Sequence, residues 1–163
     1  MNQLTTSGYA YDADGNMTSF KTPEGYAATA TYDAENRLKT VSYTDSHSVQ
    51  HNYAFTYDAD GLIAKQVIDG VETRFIYDNQ YNVLQERNSS NAVTRSYIWD
   101  PTAPGGIGGL LELTVGGVHY SYLYDGKGNI NTVIDSSQNA VASYRHDAFG
   151  NLISKSGTRL CQT

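Results

Sequence analysis

This 163-residue sequence predicts an all-β fold, an antiparallel meander of repeated β-hairpins forming a strongly curved sheet or partial tube. Three observations carry that expectation. The pair Tyr-Asp recurs at an interval in the twenties. A turn signature and then an apolar residue follow six of the seven pairs at fixed offsets. A second set of turn residues falls midway between successive pairs. A period of this size marks an array built from one small supersecondary unit.

The pairs are Tyr11-Asp12, Tyr32-Asp33, Tyr57-Asp58, Tyr77-Asp78 and Tyr124-Asp125, with Trp99-Asp100 and His146-Asp147 as variants. Successive gaps between their first members are 21, 25, 20, 22, 25 and 22 residues. Two residues upstream stand Tyr9, Ala30, Phe55, Phe75, Tyr97, Tyr122 and Tyr144. Residues two apart on a strand share a face, so most units offer an aromatic couple on one side.

After each pair the chain turns. Gly15, Gly61, Gly128 and Gly150 supply the positive φ that closes the turn, and the preceding Asp caps it through its carboxylate. Asn36 takes the Gly place in the second unit, which Asn tolerates. Tyr81 takes it in the fourth, where positive φ is costly, so that turn is expected to differ. Six positions after the first member of the pair come Met17, Leu38, Ile63, Val83, Ile130 and Leu152, all apolar. They mark a second strand returning beside the first, one hairpin per unit.

Thr22-Pro23-Glu24-Gly25, Asp69-Gly70, Asn88-Ser89-Ser90-Asn91, Gly116-Gly117 and Asp135–Asn139 then join unit to unit. Two turns per ~22 residues leave strands of about 6 to 9 residues, roughly 14 in all. Apolar residues nowhere sustain helical spacing, so almost no helix is expected. A sheet of more than about ten strands must curl or split, because neighbouring strands are rotated by some 20–25°.

Leu, Ile, Val and Phe make up only about a fifth of the chain, near the level at which disorder is expected. Fourteen Tyr reverse that expectation, since each buries a large flat body behind a polar tip. The predicted core is aromatic and layered rather than thick and aliphatic. A net charge of −6, with no cluster of Lys or Arg, speaks against nucleic acid as a partner. No run of about 18 apolar residues spans a bilayer, and the N-terminus has no signal-peptide pattern. The single Cys161 forms no internal disulfide.

The chain divides into a lead-in over 1–6, a repeat domain over 7–157 and a tail over 158–163. Within the repeats, Trp99-Asp100 is followed by a Pro- and Gly-rich stretch, Pro101 to Gly109. The segment 100–109 is expected as a protruding loop or as a hinge between two sub-bundles.

Laid out this way, the sequence resembles the YD-repeat, or RHS-repeat, family. The stretches Gly8-Tyr9-Ala10-Tyr11-Asp12-Ala13-Asp14-Gly15-Asn16-Met17 and Tyr144-Arg145-His146-Asp147-Ala148-Phe149-Gly150-Asn151-Leu152-Ile153 fit the pattern closely. The resemblance runs from about Ser7 to Gly157, through seven copies in register. Members include bacterial Rhs proteins, C components of insecticidal toxin complexes and teneurins. Their repeats spiral into a hollow β-shell, which in the bacterial cases encloses a C-terminal toxin. The resemblance therefore implies a non-enzymatic scaffold, with a protein cargo or neighbouring shell repeats as partners. It implies a bacterial setting, secreted or at the cell surface as part of a larger protein. It transfers no catalytic residue and no cofactor. The family's core region and toxin are expected after a stretch like Ser156–Thr163, so the chain resembles a fragment of a shell, and seven repeats are not expected to enclose a cargo alone.

Other motifs favour plain readings. Asp12-Ala13-Asp14-Gly15-Asn16 has Gly fourth, where a calcium EF-hand loop has it sixth, so turn capping is expected over metal. Gly105-Gly106-Ile107-Gly108-Gly109 leads into a strand rather than the helix a phosphate cradle opens. His47, His51, His119 and His146 fall in different units, against a shared zinc site. Cys161, in a polar tail, is not expected to act as a nucleophile. The Asn16 and Asn88 sequons bear only on a eukaryotic secretory setting. Stacked Tyr rings leave carbohydrate or cell-surface binding as the alternative function. Unpaired edges near Tyr9 and Leu152 are expected to invite edge-to-edge self-association.

Overall fold

The computed structural model describes residues 4, 6–102 and 109–157. Among them there is no helix, and fourteen strands follow one another as a meander in the order β1 to β14. No helix is long and apolar enough to cross a membrane. The chain forms two compact units, Met1–Arg74 and Phe75–Thr163. The division falls within a strand, so the Pro/Gly stretch expected as a hinge lies inside the second unit. Residues 103–108 of that stretch, the tail with Cys161 and most of the lead-in lie outside the described residues.

The first unit contains β1 (Ala10–Tyr11), β2 (Met17–Lys21), β3 (Ala27–Tyr32), β4 (Leu38–Thr44), β5 (Gln50–Tyr57) and β6 (Ile63–Ile68). It also holds the start of β7 (Val71–Tyr77). All the ladders are antiparallel, as consecutive strands joined by short turns require. Each hairpin slips register just before its aromatic slot. Thr31 faces Thr40 while Tyr32 faces Leu38, which leaves Lys39 unpaired. Thr56 with Lys65 and Tyr57 with Ile63 repeat the slip. One extra residue on the return strand is a β-bulge, which adds local twist at the same point of each repeat.

The second unit contains β8 (Val83–Arg87), β9 (Val93–Trp99), β10 (Leu110–Val115), β11 (Val118–Tyr124), β12 (Ile130–Asp135), β13 (Ala140–His146) and β14 (Leu152–Gly157). The same slip recurs before Tyr124 and His146. The Leu110/Glu112 slip opposite Trp99 is its counterpart.

The core departs from the expected aromatic layer. In the first unit the fully buried apolar residues are Ala28 and Ala30. In the second they are Leu113, Val133, Ala142 and a single ring, Tyr122. The rows are in register, Tyr97–Leu113–Tyr120 and Tyr122–Val133–Ala142. In the second unit, rings that keep part of their own surface exposed pack against the buried cluster of Leu113, Tyr122, Val133 and Ala142. Tyr97, Tyr120, Tyr124 and Tyr144 are accordingly half-buried around the aliphatic seed.

Candidate functional site

The residues that recur in sequence also recur in geometry, and the repeated turn is the chain's characteristic site. Asp12 begins it. Its backbone N–H donates to the Asn16 carbonyl at 3.0 Å, and the Gly15 N–H donates back to the Asp12 carbonyl at 3.2 Å. The carboxylate then accepts from Asp14 N–H and Asn16 N–H through Oδ1, at 3.1 and 2.8 Å, and from the Asn16 amide through Oδ2 at 3.0 Å. Asp33, Asp58, Asp78, Asp125 and Asp147 repeat the backbone and Oδ1 bonds. Asn82, Asn129 and Asn151 repeat the amide-to-Oδ2 bond, and the Arg37 guanidinium replaces it on Asp33 at 2.7 Å. Asp100 caps with the N–H and hydroxyl of Thr102.

Donors surround these carboxylates, and that favours the ionised form. The Asn16 amide, with the turn's N–H groups, holds Asp12 below the usual carboxylate range. Asp78, Asp125 and Asp147 are lowered in the same way, first by Asn82, Asn129 and Asn151. The backbone N–H of Arg37 leads the effect on Asp33. Carboxylates so engaged are ionised acceptors that shape the backbone. They are poorly placed to take a proton from a substrate.

Gly15, Gly61, Gly128 and Gly150 stand at φ 84–92°, and Asn36 at 61°. Tyr81 corrects the expectation that its turn differs. It sits at φ 67°, with Tyr81 N–H donating to the Asp78 carbonyl at 3.3 Å as in the other units. A left-handed non-Gly residue costs roughly 1–2 kcal/mol. The Asp78 carboxylate, accepting from Gln80 N–H, Asn82 N–H and the Asn82 amide, holds the turn in that geometry.

Four first members, Tyr32, Tyr57, Trp99 and Tyr124, tie repeats together. Tyr32 donates its hydroxyl to the Met17 carbonyl at 2.9 Å, and Tyr57 to that of Leu38 at 2.7 Å. Trp99 uses its indole N–H on Val83 at 2.7 Å, and Tyr124 reaches Leu110 at 2.6 Å. Met17, Leu38 and Leu110 are the apolar residues that face the slot of the repeat before. Tyr11 differs, accepting the Leu4 N–H at 3.0 Å. Tyr77 lies 6.4 Å from Phe75, tilted, at the end of β7. His146 faces Leu152 across β13 and β14.

The turns are also linked to one another. The Asn16 amide donates to Asn36 at 2.7 Å, Arg37 lies 4.6 Å over the Tyr57 ring, and Lys127 donates to the Ala148 carbonyl at 3.0 Å. The fifth turn position joins neighbours at Asn16 and Arg37, and the third does so at Lys127, links that sequence reasoning missed. Also missed was the turn Asp45–Val49 between β4 and β5, in which Asp45 accepts from His47 and Val49 N–H at 2.9 Å each. Its Ser48 takes φ 63°, and no Gly or Pro marks it.

Aromatic rings of the first unit stack on one another. Tyr43 is 6.1 Å from Tyr26, 4.9 Å from His51 and 6.2 Å from Tyr53. A hydrogen bond with the Tyr53 phenol, then burial, pushes Tyr43 up to about 12. Beside them Phe20, Leu38, Val41, Tyr43, Tyr53 and Phe55 line an open apolar cleft of about 250 Å³.

A Glu112, His119 and Thr114 cluster in the second unit resembles catalytic components only superficially. Glu112 Oε1 and Thr114 Oγ1 both meet the same nitrogen, His119 Nδ1, at 2.7 and 3.1 Å. A base that relays a proton needs its two ring nitrogens on opposite partners. Among the described residues no group of three His, Cys, Asp or Glu side chains is arranged to hold a metal ion.

The family model for the RHS Repeat matches residues 11–48. The chain is 36% identical over 155 residues to the tRNA3(Ser)-specific nuclease WapA of Bacillus spizizenii and to the tRNA nuclease WapA of Bacillus subtilis. Those alignments take in 93% of this chain and 6% of each relative, so the chain spans a small fraction of the proteins it matches. Among solved structures, TcdB2-TccC3 aligns over 94% of this chain and 11% of its own, with a TM-score of 0.49 and 14% identity. The TcdB2-TccC3-Cdc42 structure aligns over 91% and 7%, with a TM-score of 0.44 and 17% identity.

Proposed function

We propose that the chain, whose residues 11–48 match the RHS Repeat family model, is a non-enzymatic structural scaffold, a segment of a β-shell whose aromatic face lines a chamber for a protein cargo. One observation carries the reading. The residues that define the repeat are committed to the repeat itself, each Asp within its own turn and each reaching ring to the backbone of the repeat before. Such a unit transmits shape from neighbour to neighbour, which is the logic of a repeat array.

On this reading the nuclease activity named for the relatives resides in other parts of those proteins, and the region like this chain houses it. The edges at β1 and β14 serve to pair with further repeats. Carbohydrate recognition is the weaker alternative, since a sugar platform needs free ring faces and Tyr43 already has Tyr26, His51 and Tyr53 against it.

The test is to incubate the chain with tRNA, with and without added divalent metal, beside a glycan array. Intact RNA and an empty array are expected. Turnover of tRNA that disappears in Glu112→Gln or His119→Gln overturns the scaffold reading. Saturable glycan binding that is lost when Tyr26 is replaced supports recognition instead.

A further inference from the structure

We propose that Asp45, His51 and Asp69 form a proton-operated clamp, which ties two neighbouring connecting turns of the first unit together in mildly acidic solution and releases them as the pH rises. His51 lies in β5 directly opposite Tyr43 of β4, with its ring 4.9 Å away. Its Nδ1 is 2.9 Å from Asp69 Oδ2, and its Nε2 is 3.6 Å from Asp45 Oδ2. Asp45 opens the turn between β4 and β5, and Asp69 belongs to the tight turn between β6 and β7. One imidazole therefore bridges two turns that successive hairpins place on the same rim.

The other oxygens of both acids are already engaged. Asp45 Oδ1 accepts the His47 and Val49 N–H groups, and Asp69 Oδ1 accepts the Asn52 N–H at 2.7 Å. Both carboxylates are fixed in place by backbone and each aims its free oxygen at the ring. A neutral imidazole has one N–H and donates to one of them, leaving a lone pair against the other. The imidazolium donates to Asp69 and holds Asp45 as an ion pair at 3.6 Å. Only the protonated ring completes the bridge.

The remaining groups around it do not reverse this. His47 approaches Asp45 Oδ2 at 3.8 Å from a largely solvated position. Glu24, from the turn between β2 and β3, adds negative charge near Tyr43, and the Tyr43 phenol, pushed up to about 12, is uncharged at neutral pH. Asp69, then Asp45, hold His51 above its ordinary 6.5. Backbone N–H groups first, with His51 adding to them, hold both acids below 3.8. A raised histidine stabilises fully below 6.5 and loses that contribution as pH climbs through the raised value. The depressed acids keep the clamp charged until the pH falls below 3.8.

Ring-nitrogen NMR of the full chain from about pH 5 to about pH 9 tests this. The His51 midpoint is expected above 6.5, and to fall in Asp69→Asn and in Asp45→Asn separately. Amide exchange at Asn52 and Val49, relative to Val133, is expected to rise above that midpoint. In His51→Gln, which removes the proton but keeps a polar side chain, this pH-dependent rise disappears. A midpoint at or below 6.5, or one unmoved by both Asn variants, overturns the clamp.

Discussion

The phenol of Tyr57 donates to the carbonyl oxygen of Leu38 at 2.7 Å, nineteen residues back and in the preceding repeat. That bond joins the residue that defines one hairpin to the return strand of the hairpin before. Removing only the hydroxyl isolates it. Tyr57→Phe keeps the ring and its contact with Arg37 but leaves the Leu38 carbonyl short of a partner. A loss of about 1 kcal/mol is expected by urea denaturation, with an unchanged slope.

Tyr81 offers a gain rather than a loss. It holds φ 67° while 62% exposed, so its side chain contributes little packing. Tyr81→Gly is expected to stabilise by up to about 1 kcal/mol, the left-handed cost less the added chain entropy of Gly. A lower thermal midpoint for Tyr81→Gly contradicts the turn geometry.

The repeated Asp turns make stability depend on acid. Asp12, Asp78, Asp125 and Asp147 are all held below 3.8 in the folded chain. A depressed carboxylate stabilises above its unfolded value and loses that contribution as pH falls through the folded one. The urea midpoint is therefore expected to drop below about pH 4. Asp125→Asn should be milder than Asp125→Ala, because Asn88 already caps its own turn with Oδ1 accepting at 3.0 Å from Ser90 and Ala92 N–H. Equal effects of the two substitutions argue against side-chain capping.

Gly157 pins the last strand. It holds φ 87°, and a Cβ there runs into the Val141 carbonyl and the Ala142 backbone. Gly157→Ala is expected to cost more than about 1 kcal/mol and to free β14. Rapid amide exchange confined to Leu152–Gly157 is the expected signature.

The hairpin period was legible because it needs only local chemistry. A Tyr, an Asp and a Gly or Asn at fixed offsets specify a strand, a capped turn and a return. What escaped was non-local or degenerate. Ala28 and Ala30 read as weak positions in sequence, yet both are buried, Ala28 between Phe20 and Tyr43 of the neighbouring strands and Ala30 opposite Val41. Tyr81 was judged by its backbone preference alone, while Asp78 and Asn82 decide the turn. The Asp45 turn lacks Gly and Pro and is set by the Asp carboxylate. Nothing in the spacing of Asp45, His51 and Asp69 indicates that two turns and a strand bring them together.

The central claim is that hairpins are tied to their predecessors through Tyr32, Tyr57, Trp99 and Tyr124. Solution NMR of the Tyr hydroxyl protons tests it most directly. Tyr32, Tyr57 and Tyr124 are predicted to show slowly exchanging hydroxyl protons with cross-peaks to Met17, Leu38 and Leu110. Hydroxyls that exchange freely with water, and show no such cross-peaks, contradict the account.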